Sequence, residues 1–574
     1  MVTTSQGKSQ PEPHHGAREN RVLNGAQMTC EALLLEGVEV LFGYPGGAIT
    51  PFYHALHDYP LRHVLVRHEQ AAAHAADGYA RATGRAGVCV ATSGPGATNL
   101  VTGIATAYLD SSPVIAITGQ VPTSMIGKDS FQETDITGIT LPITKHNYLV
   151  MHVADLPRAL KESFHLALTG RPGPVLIDIP KDVQTSRAPF HYPSSVELRG
   201  YRPSVAGNAR QIRQAAALIR SAERPLILAG RGVGLARATS ELQRLAEQGC
   251  IPVLSTLLGL GSFPGHHPLY YGLIGMHGIN YANRALSSCD LVIAIGTRFS
   301  DRTTGKTSLF AEQAKVVHID VDPAEIGKNI GVDIPIVGDV RHVLEALVQE
   351  GCVGTRAEWL SALGRWREEA TETPRRRNGH VSPQEAIREL DRQTQGDAII
   401  VTDVGQHQLW AAQNYVYRRP GSFISSGGLG TMGFGLPAAL GAKIGRPNEE
   451  VWAVCGDGGL QMNIQEMATV VQEGVGVKIA LLNNGYLGMV RQLQELFHER
   501  RYYGTALLGP DFVKVAEAYG IPARRVERDA ETAAALQWAR SLEGPALVEF
   551  VIEPEENVYP IVPAGQGLED MIEG

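Results

Sequence analysis

The chain has 574 residues, with 51 basic against 59 acidic, a formal charge of -8, and 44% hydrophobic against 19% charged residues. That length exceeds what one hydrophobic core organises, at about 100 to 200 residues per domain, so several domains are expected. The acidic balance excludes a general attraction to nucleic acid or to an anionic membrane surface, and an anionic substrate would need a local basic site.

Residues 1–20 are polar, with Pro11, Pro13, His14 and His15, and read as a disordered extension lacking a signal-peptide core. No apolar run reaches the roughly 18 to 20 residues that cross a bilayer, so a cytoplasmic protein without membrane contact is expected. The six cysteines (Cys30, Cys89, Cys250, Cys289, Cys352, Cys455) form no C-x-x-C pair, which argues against a disulfide framework or a zinc knuckle.

Beyond the extension, short apolar runs recur at 87–92, 114–118, 225–230, 291–296, 451–455 and 477–482, each followed by helical sequence. This is the pattern of parallel sheets covered by helices on both faces. Linker-like composition at 189–207 and 368–382, the latter with Pro374-Arg375-Arg376-Arg377, divides the chain into 21–190, 205–355 and 380–555, followed by a tail at 556–574. The expected fold class is α/β: three doubly wound parallel-sheet domains. Ligands of such sheets sit beyond the carboxyl ends of the strands, so polar residues following these runs are the candidates for chemistry.

The last third is the most informative. A strand over 451–454 leads into Gly456-Asp457-Gly458, and a strand over 477–482 leads into Asn483-Asn484, with 24 residues between Gly458 and Asn483. That spacer accommodates one helix, about 463–473, and a return strand, which brings Asp457 and Asn484 to neighbouring strand ends. One carboxylate, one amide oxygen and one backbone carbonyl suit Mg²⁺, which completes its shell with phosphate oxygens. The glycines leave room for a diphosphate against the backbone. A Gly-Asp-Gly alone would be an ordinary turn.

This pairing resembles the diphosphate motif of thiamine-diphosphate enzymes. On that resemblance Asp457 and Asn484 ligate Mg²⁺ with the carbonyl of Tyr486. The cofactor also needs a carboxylic acid beside N1′ of its aminopyrimidine, and the first third offers Glu69 in Arg67-His68-Glu69-Gln70. A glutamate there would share a proton with N1′ and favour the imino form that deprotonates the thiazolium C2. Read alone, it is a solvated glutamate at a helix start.

Flanked by Gly43-Tyr44-Pro45-Gly46-Gly47-Ala48 and by Ala91-Thr92-Ser93-Gly94-Pro95-Gly96-Ala97-Thr98-Asn99, Glu69 matches the catalytic glutamate of acetohydroxyacid synthases, and the chain from about Asn24 onward resembles that family. The resemblance implies pyrimidine-binding, central FAD-binding and diphosphate-binding domains. It puts Pro45, Gly46, Ser93 and Asn99 near the cofactor and makes Gly46, Gly47 and Ala48 a flexible backbone wall near the reacting carbonyl. From the last third it adds Val404, Gln406, His407, Gly430, Gly456, Gly458, Gly459 and Met489, with Met432 as the apolar wedge that bends the cofactor. Gln132 and Lys145 would line the substrate entrance, with Lys145 as its cation. In the middle third, Met276 would pack near the second substrate and Arg302 would grip its carboxylate with an always-charged donor fork. Without the resemblance, Asp301-Arg302 reads as a surface ion pair.

FAD contacts are implied for Gly232, Thr256, Leu257, Met276, His277, Arg298, Asp320 and Asp339. The expected reaction decarboxylates pyruvate and joins the two-carbon unit to pyruvate or 2-ketobutyrate, giving 2-acetolactate or 2-aceto-2-hydroxybutyrate for branched-chain amino acids. The family places the glutamate and the diphosphate site on different subunits, implying a homodimer or tetramer, and its biosynthetic members associate with a small regulatory subunit. The tail is expected over the active site. Related alternatives are a catabolic acetolactate synthase and pyruvate oxidase; a non-catalytic scaffold is the alternative from another class.

Two departures from the family pattern stand out. Ser300 replaces the first of two aspartates before Arg302. Leu493 stands where many members carry a tryptophan that contacts the extra methyl of 2-ketobutyrate, so a reduced preference for that acceptor is expected. Gly428-Leu429-Gly430-Thr431-Met432-Gly433 and Gly305-Lys306-Thr307 superficially match dinucleotide and P-loop patterns but lack the flanking strand or first glycine.

Overall fold

The computed structural model describes residues 21–370 and 380–574; the extension at 1–20 and part of the linker at 368–382, with its Pro-Arg-Arg-Arg run, lie outside the described residues. A small antiparallel sheet joins β1 (Val22–Asn24) to β8 (Arg187–Pro189), closing the first domain at its two ends. Between them lie β2 (Val40–Gly43), β3 (Arg62–Leu65), β4 (Gly87–Ala91), β5 (Val114–Gln120), β6 (His146–Leu149) and β7 (Val175–Pro180), a parallel sheet in the order β3-β2-β4-β5-β7-β6.

The middle domain holds β9 (Pro225–Ala229), β10 (Val253–Ser255), β11 (Tyr270–Leu273), β12 (Leu291–Ile295), β13 (Lys315–Asp320) and β14 (Ile334–Val337), parallel in the order β11-β10-β9-β12-β13-β14. The last holds β15 (Ile399–Thr402), β16 (Phe423–Ile424), β17 (Val451–Gly456), β18 (Val477–Asn483), β19 (Ala523–Val526) and β20 (Ala546–Val551), parallel in the order β16-β15-β17-β18-β20-β19. The expected fold class is therefore the observed one. The central strands β4, β5, β12 and β17 are buried at every position, which is why they read as continuous apolar runs rather than alternating ones.

The first and last domains share one apolar core, running from Val40 and Phe42 through Ala72 and Ala76 to Leu436, Ala439 and Ile479. The helices Glu69–Thr83 and Gly435–Gly445 cross inside it with their backbones nearly touching. A Cβ on Gly78 would lie 2.1 Å from the Ala438 carbonyl oxygen, and one on Gly441 would lie 1.8 Å from that of Ala75. Only glycine permits this approach, so a pair of small residues fixes how the first domain sits on the last.

All three domains meet at a buried ionic junction. Arg81 makes a two-pronged bond to Asp77, with both contacts at 2.7 Å, a third to Asp110 at 3.0 Å, and donates to the Ser425 carbonyl at 2.6 Å. Asp110 in turn accepts from the backbone N–H groups of Gly427 and Gly428, at 3.0 and 2.7 Å. Arg231 of the middle domain donates to Ser112 at 2.8 Å, and burial beside Arg81 pushes its guanidinium down to about 9. Each carboxylate in the cluster is matched by several donors, the condition under which buried ions are tolerated.

All six cysteines are free, and no helix among the described residues is long and apolar enough to cross a membrane.

Candidate active site

At the carboxyl ends of β17 and β18 the helix Asp457–Met462 begins directly after the strand, so Asp457 sits at a helix N-terminus rather than in a loop. The spacer holds two helices, Asp457–Met462 and Glu466–Gln472, where one over about 463–473 was expected. Asn463 makes the break: its backbone leaves the helical range, and its side chain donates to the Gly433 carbonyl at 2.7 Å.

Asp457 is 2% exposed, its Oδ2 has no hydrogen-bond partner, and burial pushes its carboxyl up to about 6. Asn484 is fixed beside it: Oδ1 accepts from the Tyr486 N–H at 3.0 Å, and Nδ2 donates to Gln406 Oε1 at 3.2 Å. His407 Nε2 is likewise buried without a partner, and burial pushes its ring down to about 3, so it is neutral. A Cβ on Gly488 would lie 2.1 Å from Gln406 Oε1 and 2.6 Å from Asn484 Nδ2, so only glycine lets these two amides pack against the backbone here. An open carboxylate oxygen, an oriented amide and a glycine-lined floor fit a hard cation that draws its remaining ligands from a diphosphate. The described residues contain no cluster of three His, Cys, Asp or Glu that could hold a metal through protein side chains alone.

This floor borders a cavity of about 60 Å³, and Val404, Gly405, Met432, Met489 and Val490 also line a much larger cavity of about 1160 Å³. The large cavity is walled by the middle domain through Gly232, Thr256, Leu257, Met276, His277, Arg298, Asp320 and Asp339, by the last domain through Gly430 and Leu493, and by the first domain through Asp110, Ser111 and Arg171. The structure thus brings every sequence-derived FAD candidate to one cleft. Its size and mixed lining suit a large organic ligand. Asp320, at the end of β13, is buried and pushed up to about 6 by desolvation. Asp339 is partly committed elsewhere, since it caps the helix Val340–Gln349 through the N–H groups of Arg341 and His342.

Arg302 reaches the same cavity with its side chain 68% exposed and its guanidinium 3.2 Å from Met276 Sδ and 3.6 Å from Asp301, whose side chain is 79% exposed. Such an exposed ion pair is worth little, so Arg302 can still receive a carboxylate. The tail closes one wall: Gln406 donates to the Glu556 carbonyl, the Val562 N–H donates to the Met276 carbonyl, and His277 Nδ1 bonds the Pro560 carbonyl.

The first domain supplies a separate cluster. Glu69 opens the helix Glu69–Thr83 after β3, and Asn99 donates to its Oε2 at 2.9 Å. Thr92 Oγ1 accepts from the Ala48 N–H at 3.2 Å and fixes the turn that carries Pro45, Gly46 and Gly47. None of Glu69, Asn99, Ser93, Pro45, Gly46, Gly47 and Gln132 lines either cavity. Within one chain this cluster and the Asp457 floor therefore line no common cavity. Phe131, beside Gln132, is 88% exposed.

Lys145 is not where the sequence reading put it. It precedes β6, at the amino edge of the sheet, opposite the edge where ligands bind. Its ammonium is turned inward, donating to the Leu166 and Thr169 carbonyls and to the Tyr201 hydroxyl, and burial pushes it down to about 8. The lysine at the correct edge is Lys181, exposed just after β7, whose end pairs with Gln120 at the end of β5. Asp403 was also missed. It follows β15, is buried, and accepts from the N–H groups of Val404, Gly433 and Gly435, which sets the loop carrying Met432. Its only signal was its place after a strand.

Comparison with known proteins agrees with this layout. Residues 23–139 match the family described as thiamine pyrophosphate enzyme, N-terminal TPP binding domain; 212–347 match its central domain; and 403–550 match its C-terminal TPP binding domain. The chain is 49% identical to an acetolactate synthase of Mycobacterium bovis, over 98% of this chain and 95% of that protein. It is 49% identical to a probable acetolactate synthase large subunit of Methanocaldococcus jannaschii, over 96% and 95%, and 48% identical to the acetolactate synthase large subunit of Corynebacterium glutamicum, over 98% and 93%. On these matches, which span the three domains and nearly the whole length, the chain belongs to the acetolactate synthase large-subunit family of thiamine pyrophosphate enzymes.

Proposed function

We propose that the chain catalyses carboligation of two 2-keto acids with loss of CO₂ from the first, pyruvate, giving 2-acetolactate or, with 2-ketobutyrate, 2-aceto-2-hydroxybutyrate. The observation that carries this reading is the open, buried Asp457 carboxylate beside a fixed Asn484 in the family's diphosphate-binding domain. Asp457, Asn484 and the carbonyl of Tyr486 would hold Mg²⁺, with Gln406 and His407 facing the diphosphate. Thiamine diphosphate, when bound, supplies the carbanion chemistry that stabilises the decarboxylated two-carbon unit.

The chain's own residues do the rest. Glu69, oriented by Asn99, holds a proton opposite the aminopyrimidine. Met432 and the tail exclude water. Arg302 orients the acceptor's carboxylate, and Lys181, rather than Lys145, offers a cation at the substrate edge. FAD fits the large cleft of the middle domain. Because Glu69 and Asp457 line no common cavity, a second copy of the chain completes the site, as the resemblance implies; association with a regulatory subunit belongs to the same reading. Incubating purified protein with pyruvate, omitting thiamine diphosphate, Mg²⁺ and FAD in turn, and identifying the product tests the proposal. Acetate in place of acetolactate, or no turnover with all three present, would overturn it.

Leu493 is 39% exposed on the helix Gly488–Phe497 and faces the cavity with Met489 and Val490. A single methyl contact is worth about 1 to 3 kcal/mol in a good pocket, roughly 10- to 200-fold. In a competition assay measuring both acetohydroxy acids, Leu493→Trp is expected to raise the preference for 2-ketobutyrate by about tenfold.

A further inference from the structure

The helix Glu466–Gln472 aims one face at the first domain of the same chain, and that face carries polar groups at helical spacing. Glu466 accepts from the Arg67 backbone N–H at 2.9 Å, and Thr469 donates to the other Glu466 carboxylate oxygen at 2.6 Å. One turn on, Gln472 accepts from the Arg67 guanidinium at 2.7 Å, and Glu473 accepts from Arg62 at 2.8 Å. Two of these contacts fall on Arg67, in the short stretch that runs from β3 into Glu69, and the Glu473 contact falls on Arg62, at the start of β3.

Glu466 and its partner Thr469 are fully buried, while Arg62 and Glu473 further along are 48% and 13% exposed. A buried carboxylate is retained only where its bonds repay its desolvation, and here they go to main chain two residues before Glu69. Burial raises the Glu466 carboxyl, while bonds from Thr469 and from the N–H groups of Arg67 and His68 oppose the rise. The same helix lies nine positions after Asp457, behind the Asn463 break.

We propose that Glu466 is a positioning residue for Glu69: by holding the Arg67–His68 main chain it sets where the Glu69 carboxylate stands toward the coenzyme. This rests on the reading of Glu69 given above. A displacement near 1 Å in a reacting group costs about a hundredfold, which sets the scale expected.

The test measures exchange of the C2 proton of bound thiamine diphosphate into D₂O, together with kcat and KM, for holoenzyme carrying Glu466→Ala, Glu466→Gln or Arg62→Met. Glu466→Ala is expected to slow exchange and kcat together by about tenfold to a hundredfold, with KM for pyruvate within threefold. Glu466→Gln, which keeps one acceptor oxygen, recovers part of the loss, and Arg62→Met, which breaks only the exposed contact of the same helix, stays within twofold. Exchange within twofold of wild type in Glu466→Ala, or an equal loss in Arg62→Met, overturns the proposal. Should Glu466→Ala not fold, Thr469→Val frees one carboxylate oxygen, and unchanged exchange there overturns it as well. If wild-type protein exchanges no faster than free cofactor, the reading of Glu69 fails and takes this proposal with it; normal wild-type exchange with unaffected variants removes this proposal alone.

Discussion

Glu69→Gln is expected to lower C2-proton exchange and turnover by about 10²- to 10⁴-fold, the usual contribution of a positioned acid–base group. Glutamine fills the same volume, and its amide can still meet Asn99, which now donates to Oε2 at 2.9 Å, so the start of the helix Glu69–Thr83 stays in place. What is lost is a group able to take and return a proton. Cofactor affinity should therefore change little, because the metal and diphosphate contacts lie in the other domain. Single-turnover kinetics with a C2-exchange assay separates the outcomes, and unchanged exchange would remove Glu69 from the chemistry.

Asp457→Asn is expected to act in the opposite way, on binding rather than on the proton. Its Oδ2 is buried and unbonded and its carboxyl is pushed up by burial, so in the cofactor-free protein the ionised group is a burden on the fold. A neutral amide relieves that burden, and the cofactor-free variant should melt no lower than wild type. Thiamine diphosphate with Mg²⁺ should then raise the melting temperature of wild type and leave the variant almost unmoved, since ligand at 100 times its Kd stabilises by about 2.7 kcal/mol. An affinity loss of about a hundredfold or more by calorimetric titration is expected, and equal thermal shifts in the two proteins would remove Asp457 from the metal site.

The parallel sheets were legible because strands covered on both faces must be apolar throughout, so the runs at 87–92, 114–118, 291–296 and 451–455 fall on β4, β5, β12 and β17. The two-stranded sheet of β1 and β8 left no such trace, being three residues long on each side. The break at Asn463 was hidden because it depends on a carbonyl from Gly433, thirty positions away. Lys145 and Lys181 show the limit most plainly. Both flank strands of one sheet, and only knowing which follows its strand tells which faces the ligand edge. Asp110 and Asp403 escaped notice for a related reason, since carboxylates that grip main-chain N–H groups need no motif around them.

The junction built on Arg81 bears on how the protein could be taken apart. Its partners Asp77 and Asp110 come from the first third, the Ser425 carbonyl from the last, and Arg231 lies against it from the middle. A nick in the connector between the first two domains would thus free no fragment: the severed pieces would travel as a single particle, joined by the apolar core the first and last domains share and by this buried charge.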